Sequence, residues 1–122
     1  MRILITGSRK WEDHFVVDEA ISLAWAMSAD PVVVVHGGCP TGADAAADVY
    51  ARAAGLELEV HEPDPTYGPQ RFRIRNQAMV NAGADLCLTF ANSWASGTGM
   101  CARMARAAGI RTVDYGVPTE AR

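Results

Sequence analysis

The sequence predicts a doubly wound α/β fold, in which a mostly parallel five-stranded sheet lies between two layers of helices as a three-layer sandwich. Short apolar runs alternate with amphipathic stretches along the 122 residues, 49% of which are apolar. Glycine-containing loops follow three of the apolar runs, which is typical of the points where buried parallel strands end. No linker, repeat or low-complexity segment interrupts this alternation, so we expect residues 1–122 to form a single domain.

The first half of the chain contains three predicted strands and two predicted helices. An apolar run at 2–6 is a strand buried on both faces, and apolar spacing of three and four residues predicts a helix over 13–28. A second strand at 32–35 leads into a helix at 41–54, which Gly55 ends as a cap residue. Residues 56–61 alternate between apolar and polar side chains, which predicts a third strand with one wetter face near the sheet edge.

The second half begins with the longest turn-rich segment, residues 62–69. Pro69 stands where a first-turn proline would start a helix that ends near residue 82. A fourth strand at 86–90, a helix at 97–108 and a fifth strand at 110–115 complete the pattern. Ligands of such folds bind beyond the carboxyl ends of the strands, so we expect the loops after strands one, two and four to converge on a site.

Composition and charge exclude several classes of protein. The net charge of −3 has the wrong sign for holding duplex nucleic acid by neutralising its phosphates. The longest apolar run is far too short to cross a bilayer, and no secretory signal precedes the first strand, which predicts a cytoplasmic protein without membrane contact. Three cysteines without metal-ligand spacing indicate reduced thiols, and no metal site is predicted. The chain also lacks a Walker motif and the glycine motif of dinucleotide-binding folds, so no other cofactor is predicted.

The converging loops carry residues that suit an anion. Glycine lets backbone N–H groups approach a ligand, and a helix N-terminus adds donors with partial positive charge. Three loops have these features, and each also allows a purely structural interpretation as a turn or helix cap: Gly7-Ser8-Arg9, Gly37-Gly38 with Gly42, and Ser96-Gly97-Thr98. Asp44 is either the acidic partner of a capping box with Thr41 or a carboxylate that binds a ribose hydroxyl.

Arginines and aromatic residues near these loops add to the candidate site. Arg71 and Arg75 share one face of the third predicted helix, where they either bind a phosphate or carboxylate or remain solvated. Arg73 points elsewhere and is expected at the surface. Three aromatic residues either stack on a nucleobase or pack against a neighbouring helix: Trp11, Tyr67 and Trp94.

Four ordered motifs along nearly the whole chain resemble the YspA, cpYpsA-related branch of the SLOG superfamily. They are Gly7-Ser8-Arg9-Lys10-Trp11-Glu12-Asp13, His36-Gly37-Gly38-Cys39-Pro40-Thr41-Gly42-Ala43-Asp44, Arg75-Asn76-Gln77-Ala78-Met79 and Ser96-Gly97-Thr98. The resemblance implies a Rossmann-like fold related to LOG-type phosphoribohydrolases and to the DNA-processing protein DprA. It also implies a nucleotide or nucleotide-derived ligand, and it adds Asn76 and Met79 to the candidate binding residues.

One position departs from the pattern of the LOG-type hydrolases. Their catalytic glutamate follows the threonine of the glycine–threonine helix start by three positions, and this chain has Cys101 there. A thiol cannot act as the carboxylate that glycosidic cleavage requires. The first hypothesis is therefore nucleotide binding, for example by a sensor in stress or conflict systems, with phosphate held by Gly97 and Thr98 and neutralised by Arg75.

Two alternatives remain open at this point. The chain is a hydrolase of an N-glycosidic or phosphoester bond if Asp44 or Asp13 replaces the glutamate and Arg9 or Arg75 stabilises the developing charge. It is a DprA-like protein that handles single-stranded nucleic acid if Arg71 and Arg75 form a basic strip. A homo-oligomer is compatible with each hypothesis, since the sequence does not fix the oligomeric state.

Overall fold

Strands and helices alternate along the chain in the computed structural model, which describes residues 1–92 and 97–116. The strands are β1 (Arg2–Gly7), β2 (Val33–His36), β3 (Glu57–Val60), β4 (Leu86–Ala91) and β5 (Arg111–Gly116). The helices are α1 (His14–Ala26), α2 (Gly42–Ala54), α3 (Arg71–Asn81) and α4 (Gly97–Ala107), with a 3₁₀ helix at Pro65–Gln70. Within the described ranges, no helix combines the length and the apolar character that crossing a bilayer demands.

The strands form a five-stranded sheet in the order β3-β2-β1-β4-β5, and every pair of neighbours is parallel. Ile3, Leu4 and Ile5 of the central strand β1 are fully buried, as its unbroken apolar sequence predicts. β3 lies at the edge of the sheet, which agrees with the alternating sequence of that strand. The predicted α/β class and five-stranded sheet are thus confirmed.

Helices cover both faces of the sheet. α1 and α2 pack on the face that carries Ile5, Val34 and Phe90. α3 and α4 pack on the opposite face, which carries Leu4 and Val35. The connections that contain α1 and α2 therefore cross one face of the sheet, and those that contain α3 and α4 cross the other. The change of face falls between the neighbouring strands β1 and β4, and the carboxyl end of the sheet opens there.

The third helix begins close to Pro69, as the sequence predicts. The 3₁₀ segment Pro65–Gln70 is interrupted at Gly68, whose backbone (φ 57°, ψ −131°) is not helical, and Pro69 and Gln70 lead directly into α3 at Arg71. A separate turn precedes this break, where the Asp64 carboxylate accepts hydrogen bonds from the backbone N–H and the hydroxyl of Thr66, at 3.0 and 2.8 Å. Asp64 therefore caps the turn before Gly68, and Pro69 follows the break at the entry to the helix.

An ion-pair cluster joins the central strand to the edge strand. Arg2 of β1 donates to both carboxylate oxygens of Glu59 on β3, at 2.8 Å each, and so spans β2. His61 Nε2 lies 2.6 Å from the same carboxylate. The Arg2 guanidinium, followed by His61, lowers the pKa of Glu59 to about 2. The cluster fixes β3 beside the strands that carry the site.

Candidate functional site

A cavity of about 260 Å³ opens at the carboxyl end of the sheet, where the connections diverge. Most of the predicted ligand-binding residues line it. The loops after β1 and β2 and the first turn of α2 contribute Gly7, Ser8, Arg9, Gly37 and Asp44. Helices α3 and α4 contribute Arg75, Asn76, Met79, Gly97 and Thr98. Four lining residues were not predicted: Ile5, Thr6, Cys39 and Phe72.

Asp44 is a buried carboxyl group in the wall of this cavity, with a relative exposure of 7%. Its Oδ2 accepts a hydrogen bond from the Cys39 N–H at 3.3 Å, whereas Oδ1 has no partner among the described residues. Burial raises the pKa of Asp44, although the nearby His36, the N–H groups of Cys39 and Gly37, and Arg75 act in the opposite direction. The cavity therefore holds an acceptor that the protein itself leaves unsatisfied.

The capping-box interpretation of Asp44 is wrong. Thr41 stands at the N-cap of α2, but its side chain makes no capping hydrogen bond. Its hydroxyl instead donates to the Arg9 carbonyl oxygen at 2.8 Å and ties α2 to the loop after β1. Thr41 and Asp44 therefore do not exchange capping hydrogen bonds. The Asp44 carboxylate instead accepts the Cys39 N–H and lies in the cavity wall.

Arg75 is half-buried on α3 and crosses to the loop after β2. Its Nη1 donates to the Gly37 carbonyl oxygen at 2.6 Å, and its Nε donates to Asn76 Oδ1 at 2.7 Å. A Cβ atom on Gly37 would lie 2.3 Å from Arg75 Nη1, so the guanidinium lies directly against the glycine backbone. Two of the five guanidinium N–H groups are used in these bonds, which leaves donors for a ligand.

Three guanidinium groups surround the ring of Phe72, which lies at the mouth of the cavity. The Cζ atoms lie 4.5 Å from the ring centroid for Arg71, 5.8 Å for Arg75 and 5.9 Å for Arg9. These distances are within the range of cation–π interactions. The sequence could have indicated Phe72 as a site residue, since it stands beside Arg71 on the helix that carries the two predicted anion-binding arginines.

The first turn of α4 contributes Gly97 and the buried Thr98 to the cavity, whereas Ser96 lies outside the described residues. Cys101 lies one turn further along, has no exposed surface and does not line the cavity. Burial raises the pKa of the Cys101 thiol to about 11. This thiol is neutral at physiological pH and does not stand in for the glutamate of the hydrolases.

Two of the predicted glycines lie outside the cavity. Gly42, with a φ of +73°, packs against the loop after β1, where an added Cβ would lie 2.1 Å from the Ser8 carbonyl oxygen. Gly38 faces the Glu62 side chain and a separate depression beside α2. Gly42 therefore allows the start of α2 to approach the loop after β1 closely. Its position in the sequence had suggested a close approach to a ligand instead.

Other predicted candidates also lie away from the cavity. Asp13 caps α1, where its Oδ1 accepts the Val16 N–H at 3.2 Å. Trp11 packs edge-on against Phe90 with 5.6 Å between ring centroids, which agrees with its packing interpretation. Tyr67 is exposed on the 3₁₀ helix, and Trp94 lies outside the described residues. No group of three His, Cys, Asp or Glu suited to a metal ion occurs in the described part of the chain.

Comparisons with known proteins agree with the sequence motifs. The profile of the YspA, cpYpsA-related SLOG family matches residues 1–67. Gene 61 protein of Mycobacterium phage D29 is 41% identical over 121 residues, which cover 94% of this chain and 96% of that protein. No solved structure matches the chain. The likeness to the phage protein extends beyond residue 67 to most of the chain.

Proposed function

Because the chain belongs to the YspA, cpYpsA-related SLOG family, we propose that its cavity binds a nucleotide or a nucleotide-derived ligand. The observation that carries this proposal is the buried, unpartnered Oδ1 of Asp44 in a cavity whose other polar groups include guanidinium and backbone N–H donors. A ligand that bonds both to the Asp44 oxygen and to these donors has a hydroxyl donor at one end and an anionic group at the other. A ribose phosphate has this combination.

The anionic end of the ligand belongs beside Arg75 and the first turn of α4. Arg75 retains N–H donors after its bonds to Gly37 and Asn76. The N-terminus of α4, at Gly97 and Thr98, adds backbone N–H groups and the partial positive charge of the helix dipole. A charge-assisted pair with the guanidinium and bonds to a helix N-terminus together suit a phosphate group.

The hydroxyl end belongs beside Asp44. A buried acceptor without a partner costs about 1–3 kcal/mol, and a ligand hydroxyl that donates to Oδ1 removes this cost. The cavity volume of about 260 Å³ is near the lower end of ordinary ligand sites, which start at about 300 Å³. This volume favours one nucleotide unit over a dinucleotide.

Binding without cleavage fits the cavity better than hydrolysis does. Among the residues at 1–92 and 97–116, Asp44 is the one carboxylate that lines the cavity, whereas glycoside hydrolysis ordinarily uses two carboxyl groups. Asp13 caps α1 outside the cavity, and Cys101 is a buried neutral thiol. We therefore favour a nucleotide-binding protein, such as a sensor, over a LOG-like hydrolase.

Calorimetric titration and thermal unfolding test the proposal with nucleoside monophosphates, ribose 5-phosphate and inorganic phosphate. A ligand that binds only the folded state raises the unfolding midpoint, and we expect this for the monophosphates. Arg75→Gln should weaken their binding at least tenfold, since a charge-assisted bond contributes about 1.5–3 kcal/mol. Arg73→Gln is the matched control, because Arg73 is exposed on the same helix and does not line the cavity.

A second variant separates the two ends of the ligand. Asp44→Asn should weaken ribose 5-phosphate and the monophosphates more than inorganic phosphate, which has no sugar hydroxyl. A folded wild-type protein whose midpoint no nucleotide changes would contradict the proposal. Chromatography of the incubated nucleotides should recover them intact, and release of free base by the wild type would instead support hydrolysis.

A further inference from the structure

Three arginines without an ion pair lie around the ring of Phe72. In the described part of the chain, the Arg9, Arg71 and Arg75 guanidinium groups form no salt bridge with a carboxylate. Among the other described arginines, Arg2, Arg52 and Arg106 each pair with an acidic side chain at 2.6–2.9 Å, whereas Arg73, Arg103 and Arg111 do not. What distinguishes the first three is that their positive charges gather around one ring, in a chain with a net charge of −3.

This accumulation of positive charge favours an anionic partner. Like charges around one ring repel each other, and each cation–π contact with Phe72 offsets only about 0.5–1 kcal/mol at an exposed site. Arg71 also donates to the Gly68 carbonyl oxygen at 2.8 Å, which is a neutral partner. The field at the cavity mouth therefore attracts anions, although the protein as a whole is acidic.

The three arginines lie at different depths. Arg75 binds the loop of Gly37 inside the cavity, Arg9 lines the cavity and also a shallow depression outside it, and Arg71 lies against Phe72 beyond the lining residues. A single phosphate beside Arg75 and α4 therefore leaves the charges of Arg9 and Arg71 without a partner. These two arginines mark a second anionic position, next to the first and closer to solvent.

We propose that the ligand carries at least two phosphate groups, one in the cavity and one at the cluster formed by Arg9, Arg71 and Phe72. This inference rests on the proposed function, because it assigns the inner phosphate to the site already described. The ligand class that it names is a nucleoside diphosphate or a nucleoside bisphosphate. Both would place a phosphate group at the outer position. In the diphosphate the second phosphate is bonded to the first, whereas in the bisphosphate it is bonded to another ribose hydroxyl.

Titration calorimetry with one nucleoside as its monophosphate, its 5′-diphosphate and its 3′,5′-bisphosphate tests the inference. We expect the wild type to bind at least one doubly phosphorylated form tenfold or more tightly than the monophosphate. Arg9→Gln and Arg71→Gln should each reduce this preference several-fold. Arg71→Gln, at a residue outside the cavity lining, should also leave monophosphate affinity nearly unchanged. Arg73→Gln, the exposed control on the same helix, should keep the full preference.

The outcomes separate the inference from the proposed function. Equal affinity for all three forms would overturn the second phosphate position and leave monophosphate binding intact. A preference that survives in both Arg9→Gln and Arg71→Gln would also overturn the assignment to this cluster. If the folded wild type binds none of the three, the proposed function itself is wrong. A gain for the diphosphate or for the bisphosphate alone supports the inference and shows which ligand type fits.

Discussion

The Asp44 carboxyl makes protein stability depend on pH in an unusual direction. Burial raises its pKa above the value of about 4 that an aspartate has in the unfolded chain. As the pH rises from about 4, the unfolded chain releases this proton before the folded protein does, so the contribution of Asp44 to stability falls. The contribution levels off once the pH exceeds the folded pKa.

We therefore predict that Asp44→Asn gains stability relative to the wild type as the pH rises from about 4 towards neutrality. The free energies of unfolding, measured by denaturant titration at several pH values, give this comparison directly. Glu59 contributes equally to both proteins, so its own titration cancels in the difference. Parallel pH curves for the wild type and Asp44→Asn would contradict a raised pKa at this position.

Two glycines of the site should respond to alanine in opposite ways. Gly37→Ala brings a methyl group against the end of the flexible Arg75 side chain, which can move away, so we expect a folded protein with the guanidinium displaced. Gly42→Ala meets the Ser8 backbone at a φ of +73°, where neither partner yields easily. That second change should cost about 2 kcal/mol or more in stability.

Thermal unfolding and monophosphate titration on the two variants check this contrast. Gly37→Ala should keep an unfolding midpoint close to that of the wild type and lose nucleotide affinity at least tenfold. Gly42→Ala should lower the midpoint by several degrees. If Gly37→Ala binds nucleotides as the wild type does, the position of Arg75 against this glycine is not needed for binding.

Among the elements of the fold, the edge strand β3 depends on the Arg2–Glu59 ion pair. The lowered pKa of Glu59, about 2, stabilises the folded protein above about pH 4.5, and this contribution is lost as the pH falls towards 2. The Glu59 side chain is 35% exposed, so solvent screens the pair. We expect Glu59→Gln to cost about 1 kcal/mol at pH 7 and progressively less towards pH 2.

The same strand provides a matched control for that measurement. Glu57 is exposed on β3, two residues before Glu59, so Glu57→Gln should change the free energy of unfolding much less. Denaturant titrations of both variants at pH 7 and at pH 3 make the comparison. A deficit in Glu59→Gln that is the same at both pH values would show that the ion pair does not stabilise β3.

Elements whose stabilising contacts are local could be predicted from the sequence. The apolar run of β1, the alternation in β3 and the Gly55 cap after α2 each depend on neighbouring residues, and each appears as expected. The start of α3 near Pro69 also follows from a local signal, because a proline after the break at Gly68 suits the first turn of a helix.

For the whole molecule, alternation of strands and helices was enough to predict the fold class, and the position of the site followed from the class. The cluster around Phe72 could not be predicted, because Arg9 comes from the loop after β1 and reaches α3 only in the folded sheet. The role of Gly42 was missed for the same reason, since its close contact is with a residue 34 positions earlier in the chain, Ser8. Contacts of this kind depend on sheet order, which local patterns do not encode.

The central place of β1 also affects how the protein is made on the ribosome. β1 is synthesised before both of its neighbours, β2 and β4, so one side of Ile3, Leu4 and Ile5 stays without a partner until residue 91 has emerged. An apolar strand with an open edge invites pairing with other chains. The nascent protein therefore exposes this edge until β4 is complete, and a chain that stops after α3 is expected to aggregate.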